Sequence, residues 1–210
     1  MNGESAGLDP SSRDFFEARY RAHVDPWSFA TSHYELDRYE RIITCLSGQM
    51  YENAFEPGCS VGVLTAKLAP LCRRLLATDL SPTAIDRARE RCAAWQHVTL
   101  RCESILDAEP RCWDLLLLSE IGYYFTPHVW RSIANRLIAS LPAGSTVLAS
   151  HWLGHSPDHT MHGDEVHAIL LDREDLHLIH SERHTEFRLE QWTKNEKSGM
   201  AYCCAHSSPQ

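Results

Sequence analysis

The chain has 210 residues, enough for one domain with a well-buried core. Twenty Lys and Arg stand against 28 Asp and Glu, a net charge of −8 with the 13 His taken as neutral. That balance excludes a nucleic-acid backbone or an anionic membrane surface as the main partner, because both require clustered positive charge.

The longest purely aliphatic run, Leu115 to Leu118, is far too short to span a bilayer. Residues 1–12 have neither the basic nor the apolar region of a secretory signal, and the eight Cys follow no finger or ribbon spacing. The expectation is a cytoplasmic protein with reduced thiols.

Residues 1–12 and 203–210 read as flexible ends of a single domain, 13–48 as a helical lid and 49–195 as its core. Phe15, Phe16, Arg19 and Tyr20 open a first helix, which Asp25-Pro26-Trp27 interrupts. Leu36, Tyr39, Ile43 and Leu46 then recur at helical spacing. From Tyr51 onward, strands alternate with helices. Tyr51–Glu56, Leu75–Leu80, Val98–Cys102, Trp113–Ser119 and Thr146–Trp152 are predicted strands. Helices are predicted over Val61–Leu68, from Ser81-Pro82 to Trp95, around Val129–Leu141 and over Asp164–Leu171. His177–Arg183 and Glu186–Thr193 complete the chain as two strands joined by a tight turn. Repeated strand–helix units imply an α/β, doubly wound sheet, mostly parallel, with an antiparallel pair at one edge.

The sharpest local signal is Glu56-Pro57-Gly58-Cys59-Ser60-Val61-Gly62, which ends a strand and opens a helix. Gly58 permits a tight turn and close approach to a ligand, and Gly62 lets the helix lie near the strand. Cys59 lines this loop as a small residue. Asp79 ends the next strand, 21 residues after Gly58, where a carboxylate accepts the two ribose hydroxyls of an adenosine. Ser60 stands where a dinucleotide fold needs its middle glycine, which disfavours NAD.

Glu56 to Gly62 resembles the E/D-x-G-x-x-x-G motif of the class I S-adenosylmethionine-dependent methyltransferases. Asp79 matches their ribose acid, and Leu137 to Gly144 their L-x-P-G-G turn. Within that superfamily the closest likeness is to the NodS nodulation N-methyltransferase family, through Asp25-Pro26-Trp27, Leu64 to Pro70 and Ser119 to Tyr124. The resemblance runs from about Phe15 to Thr193. It implies a Rossmann-like methyltransferase fold of seven strands with an N-terminal helical lid. S-adenosyl-L-methionine is the implied cofactor and S-adenosyl-L-homocysteine its product. Methyl transfer to the amino group of an amino sugar or oligosaccharide is the implied reaction. O-methylation of a small molecule, or cofactor binding without catalysis, are the alternatives.

The resemblance also distributes roles. Leu80 joins Asp79 at the adenosine. After the third strand Ser104 occupies the place of the family's adenine-binding acid, so either Glu103 takes that contact or Ser104, Ile105 and backbone groups do. Ser119, Arg38 and Trp27 complete the cofactor set, with Arg38 suited to pair the methionine carboxylate. Tyr20 and Tyr34 face the ligand from the lid. Glu120, at the end of the fourth strand, is the first candidate to hold or deprotonate the acceptor amine, or else to hold the cofactor's amino group, and His151 is the second candidate for the acceptor proton. Tyr123, Tyr124 and Trp152 offer aromatic faces to a sugar or a cation. His151, His155, His159, His162 and His167 crowd one stretch, but without metal-motif spacing and among Gly and Pro, so no metal is assigned.

Overall fold

The computed structural model describes residues 8–196; the expected tail at 203–210 and the first seven residues lie outside that range. Seven strands form one sheet: β1 (Ala54–Pro57), β2 (Leu75–Asp79), β3 (Val98–Cys102), β4 (Leu115–Ser119), β5 (Thr146–Trp152), β6 (Leu176–Arg183) and β7 (Phe187–Lys194). Their order is β3-β2-β1-β4-β5-β7-β6; β1 to β5 are parallel, and β7 runs antiparallel to both of its neighbours. The doubly wound sheet and its reversed edge hairpin are those the sequence implies.

Six helices cover the sheet: α1 (Arg13–Ala22), α2 (His33–Leu46), α3 (Val63–Leu68), α4 (Pro82–Arg91), α5 (Pro127–Ala139) and α6 (Gly163–Leu171). The layers follow from the two-residue period of a strand. Leu115 and Leu117 of β4 pack with Ile42 and Leu46 of α2 and Leu64 of α3. Leu116 and Leu118 point the other way, to Trp130 and Ile133 of α5 and Val166 of α6. All five residues of β4 are buried, as expected for a strand covered on both faces.

Local sequence sets the helix ends. Ser81 accepts the Ala84 N–H with Pro82 in the first turn, Thr126 accepts the Val129 N–H before Pro127, and Ser12 accepts the Phe15 N–H. Such caps contribute about 1 kcal/mol each. Several expected boundaries shift. β1 starts only at Ala54, because Tyr51 makes an isolated bridge to Cys72, and α4 stops at Arg91, where Cys92 caps back onto Ala88. In α2 the buried face is Glu35, Arg38, Tyr39, Ile42 and Leu46, so Leu36 and Ile43 lie only partly buried.

The strand order turns back between β1 and β4. Ligands of open α/β sheets bind beyond the carboxyl ends of the strands at such a switch point.

Candidate active site

At that switch point the loop after β1 is bent three times into the left-handed region, at Gly58 (φ +77°), Ser60 (φ +52°) and Gly62 (φ +77°). Gly58 and Cys59 donate their N–H groups to the Thr78 carbonyl, at 2.7 and 2.8 Å, tying the loop to β2. A Cβ on Gly62 would lie 3.0 Å from the Ala88 backbone, so the glycine lets α4 pack against the loop. Ser60 tolerates its conformation because both ends are held: its N–H donates to Asp79 Oδ2 (2.9 Å), and its hydroxyl accepts from Tyr20 (2.7 Å).

Asp79 is the hub of this loop. Its Oδ1 accepts the Ser81 N–H at 2.9 Å, so one carboxylate bridges the turns after β1 and β2. Burial pushes its pKa up to about 6, against the pull of the two N–H donors. Glu56, one strand over, is wholly buried and pushed up to about 8 by the same cause. Its Oε2 makes no hydrogen bond among the described residues.

A cavity of about 490 Å³ opens over these residues, within the roughly 300–1,000 Å³ typical of small-molecule sites. Gly58, Asp79, Leu80, Glu103 and Ile105 form one wall. Tyr20 and Trp27 come from the N-terminal segment, and Glu120, Tyr123, Tyr124 and Trp152 from the ends of β4 and β5. A smaller recess of about 20 Å³ beside it is lined by Glu56, Cys59, Ser119 and Arg38, among others. Ser104 is not part of the wall; its hydroxyl accepts the Leu106 N–H and shapes the turn. Of the adenine candidates, Glu103 and Ile105 line the cavity and Ser104 does not.

Glu120 has φ +54°, a strained setting for a residue with a side chain. The strain points its carboxylate back over the site. Oε1 accepts the Trp152 N–H at 2.7 Å, Oε2 accepts the Tyr123 hydroxyl at 2.5 Å, and Arg38 Nη1 lies 3.5 Å away. Arg38 is fully buried. Its Nε and Nη2 both donate to Glu35 Oε2 (3.1 and 2.5 Å), and Nη1 donates to Ser119 Oγ (2.8 Å). Burial opposes the guanidinium charge, but Glu120 and Glu35 outweigh it and raise the pKa. Arg38 therefore reaches the recess with its donors already engaged by the protein.

His151 is placed otherwise than expected. It is completely buried and does not line the cavity. Its Nε2 accepts the Gly122 N–H at 3.1 Å, and its Nδ1 lies 3.2 Å from His167 Nε2; His167 Nδ1 in turn sits 2.7 Å from Glu190 Oε2. Burial, with His167 and Arg38 close by, drives its pKa well below the ordinary value. A ring whose Nε2 already accepts a backbone N–H is no base for a ligand; it fixes the turn that carries Tyr123. The rest of the histidine group also separates. His162 caps α6, and His159 stacks on Tyr123 at 3.8 Å as part of the cavity wall.

Several cavity residues escaped the sequence reading: Phe16 and Arg19 of α1, Phe29 before α2, and Asp158 in the β5–α6 loop. Arg19 Nη2 and Asp158 Oδ2 meet at 2.7 Å, joining α1 to that loop. Only Glu35 left a signal, three residues before Arg38 and so on the same helical face.

Comparisons with known proteins show the family. A family model described as Nodulation protein S (NodS) matches residues 11–151. Nodulation protein S of Bradyrhizobium diazoefficiens is 34% identical over 127 residues, 59% of this chain and 60% of that relative. Its counterpart in Sinorhizobium fredii is 32% identical over 136 residues, 63% of each chain. The matches thus span about three-fifths of those relatives' length. The solved N-methyltransferase NodS of Bradyrhizobium japonicum WM9, in complex with S-adenosyl-L-homocysteine, superimposes with a TM-score of 0.77 at 24% identity, covering 90% of this chain and all of that one. No helix among the described residues is long and apolar enough to cross a membrane. With the family model covering the chain from α1 through β5 and the seven-stranded methyltransferase fold completing it, the chain belongs to the NodS family.

Proposed function

We propose that the chain is an S-adenosylmethionine-dependent methyltransferase that methylates the amino group of an amino sugar or similar small polar acceptor. The observation that carries this reading is the buried Asp79 carboxylate, anchored by two N–H groups at the cavity wall beside Gly58. It is built to accept a ribose diol, and Leu80, Glu103 and Ile105 frame an adenine beside it.

The residues also suit the other end of such a cofactor. Glu56, buried with an orphaned oxygen in the small recess, fits an α-ammonium group. Ser119 and Arg38 bound the same recess. When bound, the cofactor supplies a methyl group activated on a sulfonium. What the protein adds is position, exclusion of water and control of one proton. The N-terminal helices, with Tyr20 and Trp27 against the cavity and Arg19 tied to Asp158, act as the cover.

An amine acceptor is favoured over a hydroxyl by the cavity's charge. Glu35, Asp79, Glu103, Glu120 and Asp158 line it with Arg19, so its carboxylates outnumber its cations even with Asp158 paired to Arg19 and Glu35 to Arg38, and Tyr34, Tyr124 and Trp152 add aromatic faces that attract a cation. Glu120 is oriented from three sides, so it can hold an ammonium and take its proton without moving. Tyr123 acts through Glu120.

Titrating S-adenosylhomocysteine calorimetrically into wild type and Asp79→Ala tests the cofactor assignment. Micromolar or tighter binding to wild type, weakened at least tenfold (about 1.4 kcal/mol) in the variant, is expected. Equal binding to both would remove Asp79 from the site, and no binding to wild type would remove the cofactor.

A further inference from the structure

Away from the cavity, the fold gathers a second group of chemically able side chains. His180, Glu182 and His184 stand two residues apart along β6 and just past its end, so strand periodicity sets them on one face. The pairing of β6 with β7 is irregular between Leu178 and His180, at the start of this run. Cys45, in the last turn of α2, comes down onto the same face. The ligand atoms of Cys45, His180 and Glu182 all lie within 4.8 Å of one another. One Glu182 oxygen meets His180 Nε2 at 2.8 Å and the other meets His184 Nε2 at 2.6 Å.

A thiol, two imidazoles and one carboxylate form a donor set of the zinc class; calcium and magnesium call for oxygen alone. We propose that Cys45, His180, Glu182 and His184 bind one divalent transition-metal ion of the zinc type, which staples the end of α2 to the edge strand β6. Ligands of a tetrahedral zinc ion, at bonds of about 2.0–2.3 Å, lie roughly 3.3–3.8 Å apart; Cys45, His180 and Glu182 stand near that spacing, and His184, which touches only Glu182 of the three, completes the set by rotating its side chain. Each imidazole offers Nε2 once its proton shifts to Nδ1. The Cys45 thiol releases one proton to solvent as the sulfur becomes a ligand. Among the described residues Arg41 is the cation already there: its Nη1 lies 3.4 Å from Glu182, while its Nε holds Asp37 at 3.0 Å. An ion on Glu182 leaves Arg41 with Asp37.

The consequence reaches the cavity, since the clamped helix is the one that carries Glu35 and Arg38. The site does not depend on the reaction proposed above.

The test uses the full-length protein stripped with a chelator and titrated with zinc chloride, then separately with cobalt chloride. One equivalent of zinc at micromolar or tighter affinity is expected, and cobalt should give a thiolate charge-transfer absorption. Cys45→Ser should abolish that absorption, and His180→Ala and His184→Ala should each weaken zinc at least tenfold. A Cys203→Ser/Cys204→Ser variant, removing thiols outside the described residues, should bind as wild type. The proposal is overturned if wild type takes up no zinc at micromolar concentration. It is equally overturned if Cys45→Ser keeps the cobalt band, or if removing Cys203 and Cys204 abolishes binding.

Discussion

Glu56 is the residue whose protonation carries the most information about the site. Burial raises its pKa to about 8, so near neutrality it is largely protonated in the free protein. A ligand bringing an ammonium group to that recess favours the ionised form, so binding expels the proton. The sign follows: affinity for S-adenosylhomocysteine should rise with pH and level off above about 8, approaching tenfold per unit on the acid side. Stability runs the opposite way, because the folded carboxyl holds a proton that the unfolded one, titrating near 4.5, has lost. Stability from this group therefore falls as pH climbs from about 4.5 to 8. Calorimetry from pH 6.5 to 8.5 should find Glu56→Gln binding more weakly, without the pH slope, while its Tm at pH 8 rises above wild type. A slope retained in the variant would put the proton elsewhere.

Between elements, the contact to probe is the one joining α1 to the β5–α6 loop. Arg19 and Asp158 meet at 2.7 Å with about 30% and 29% of their side chains exposed, so screening limits their coupling to about 0.2–1 kcal/mol. As a fastener over the cavity the pair matters more than its energy suggests. Arg19→Ala should change Tm by no more than a few degrees yet speed release of S-adenosylhomocysteine several-fold in stopped-flow. An unchanged release rate would assign the pair to stability alone. Elements were also where sequence legibility varied most. β5 begins and ends where the residues predict, because the apolar run Val147-Leu148-Ala149 follows the turn residues Pro142 to Gly144. The face of α2 was misread, because its buried stripe contains Glu35 and Arg38, two charges that satisfy each other; apolar spacing alone cannot reveal such a pair. The glycine turn and Asp79 were legible because their chemistry is local. His151 was not: only the three-dimensional partners Gly122 and His167 decide that its nitrogens face inward. The group formed by Cys45 and β6 also passed unread, for its members are brought together across 135 residues of chain.

At the scale of the whole molecule, a sheet whose order reverses between β1 and β4 brings Asp79, Glu103 and Glu120 to one edge, where Glu35 of α2 and Asp158 of the β5–α6 loop join them. A net charge of −8 adds to that field, which favours the approach of cations. On the proposed function two carboxylates, Asp79 and Glu120, divide the work by position, one on the cofactor side and one beside the tyrosines. The most direct test of this account is methyl transfer itself. Purified protein and S-adenosylmethionine are incubated with partly deacetylated chitooligosaccharide, and the sugar is weighed by mass spectrometry. The account predicts gain of a methyl group on the free amine, no gain on the fully acetylated oligosaccharide, and at least a hundredfold slower transfer by Glu120→Gln with unchanged S-adenosylhomocysteine binding. Methylation of the fully acetylated sugar, or full activity in Glu120→Gln, would contradict it.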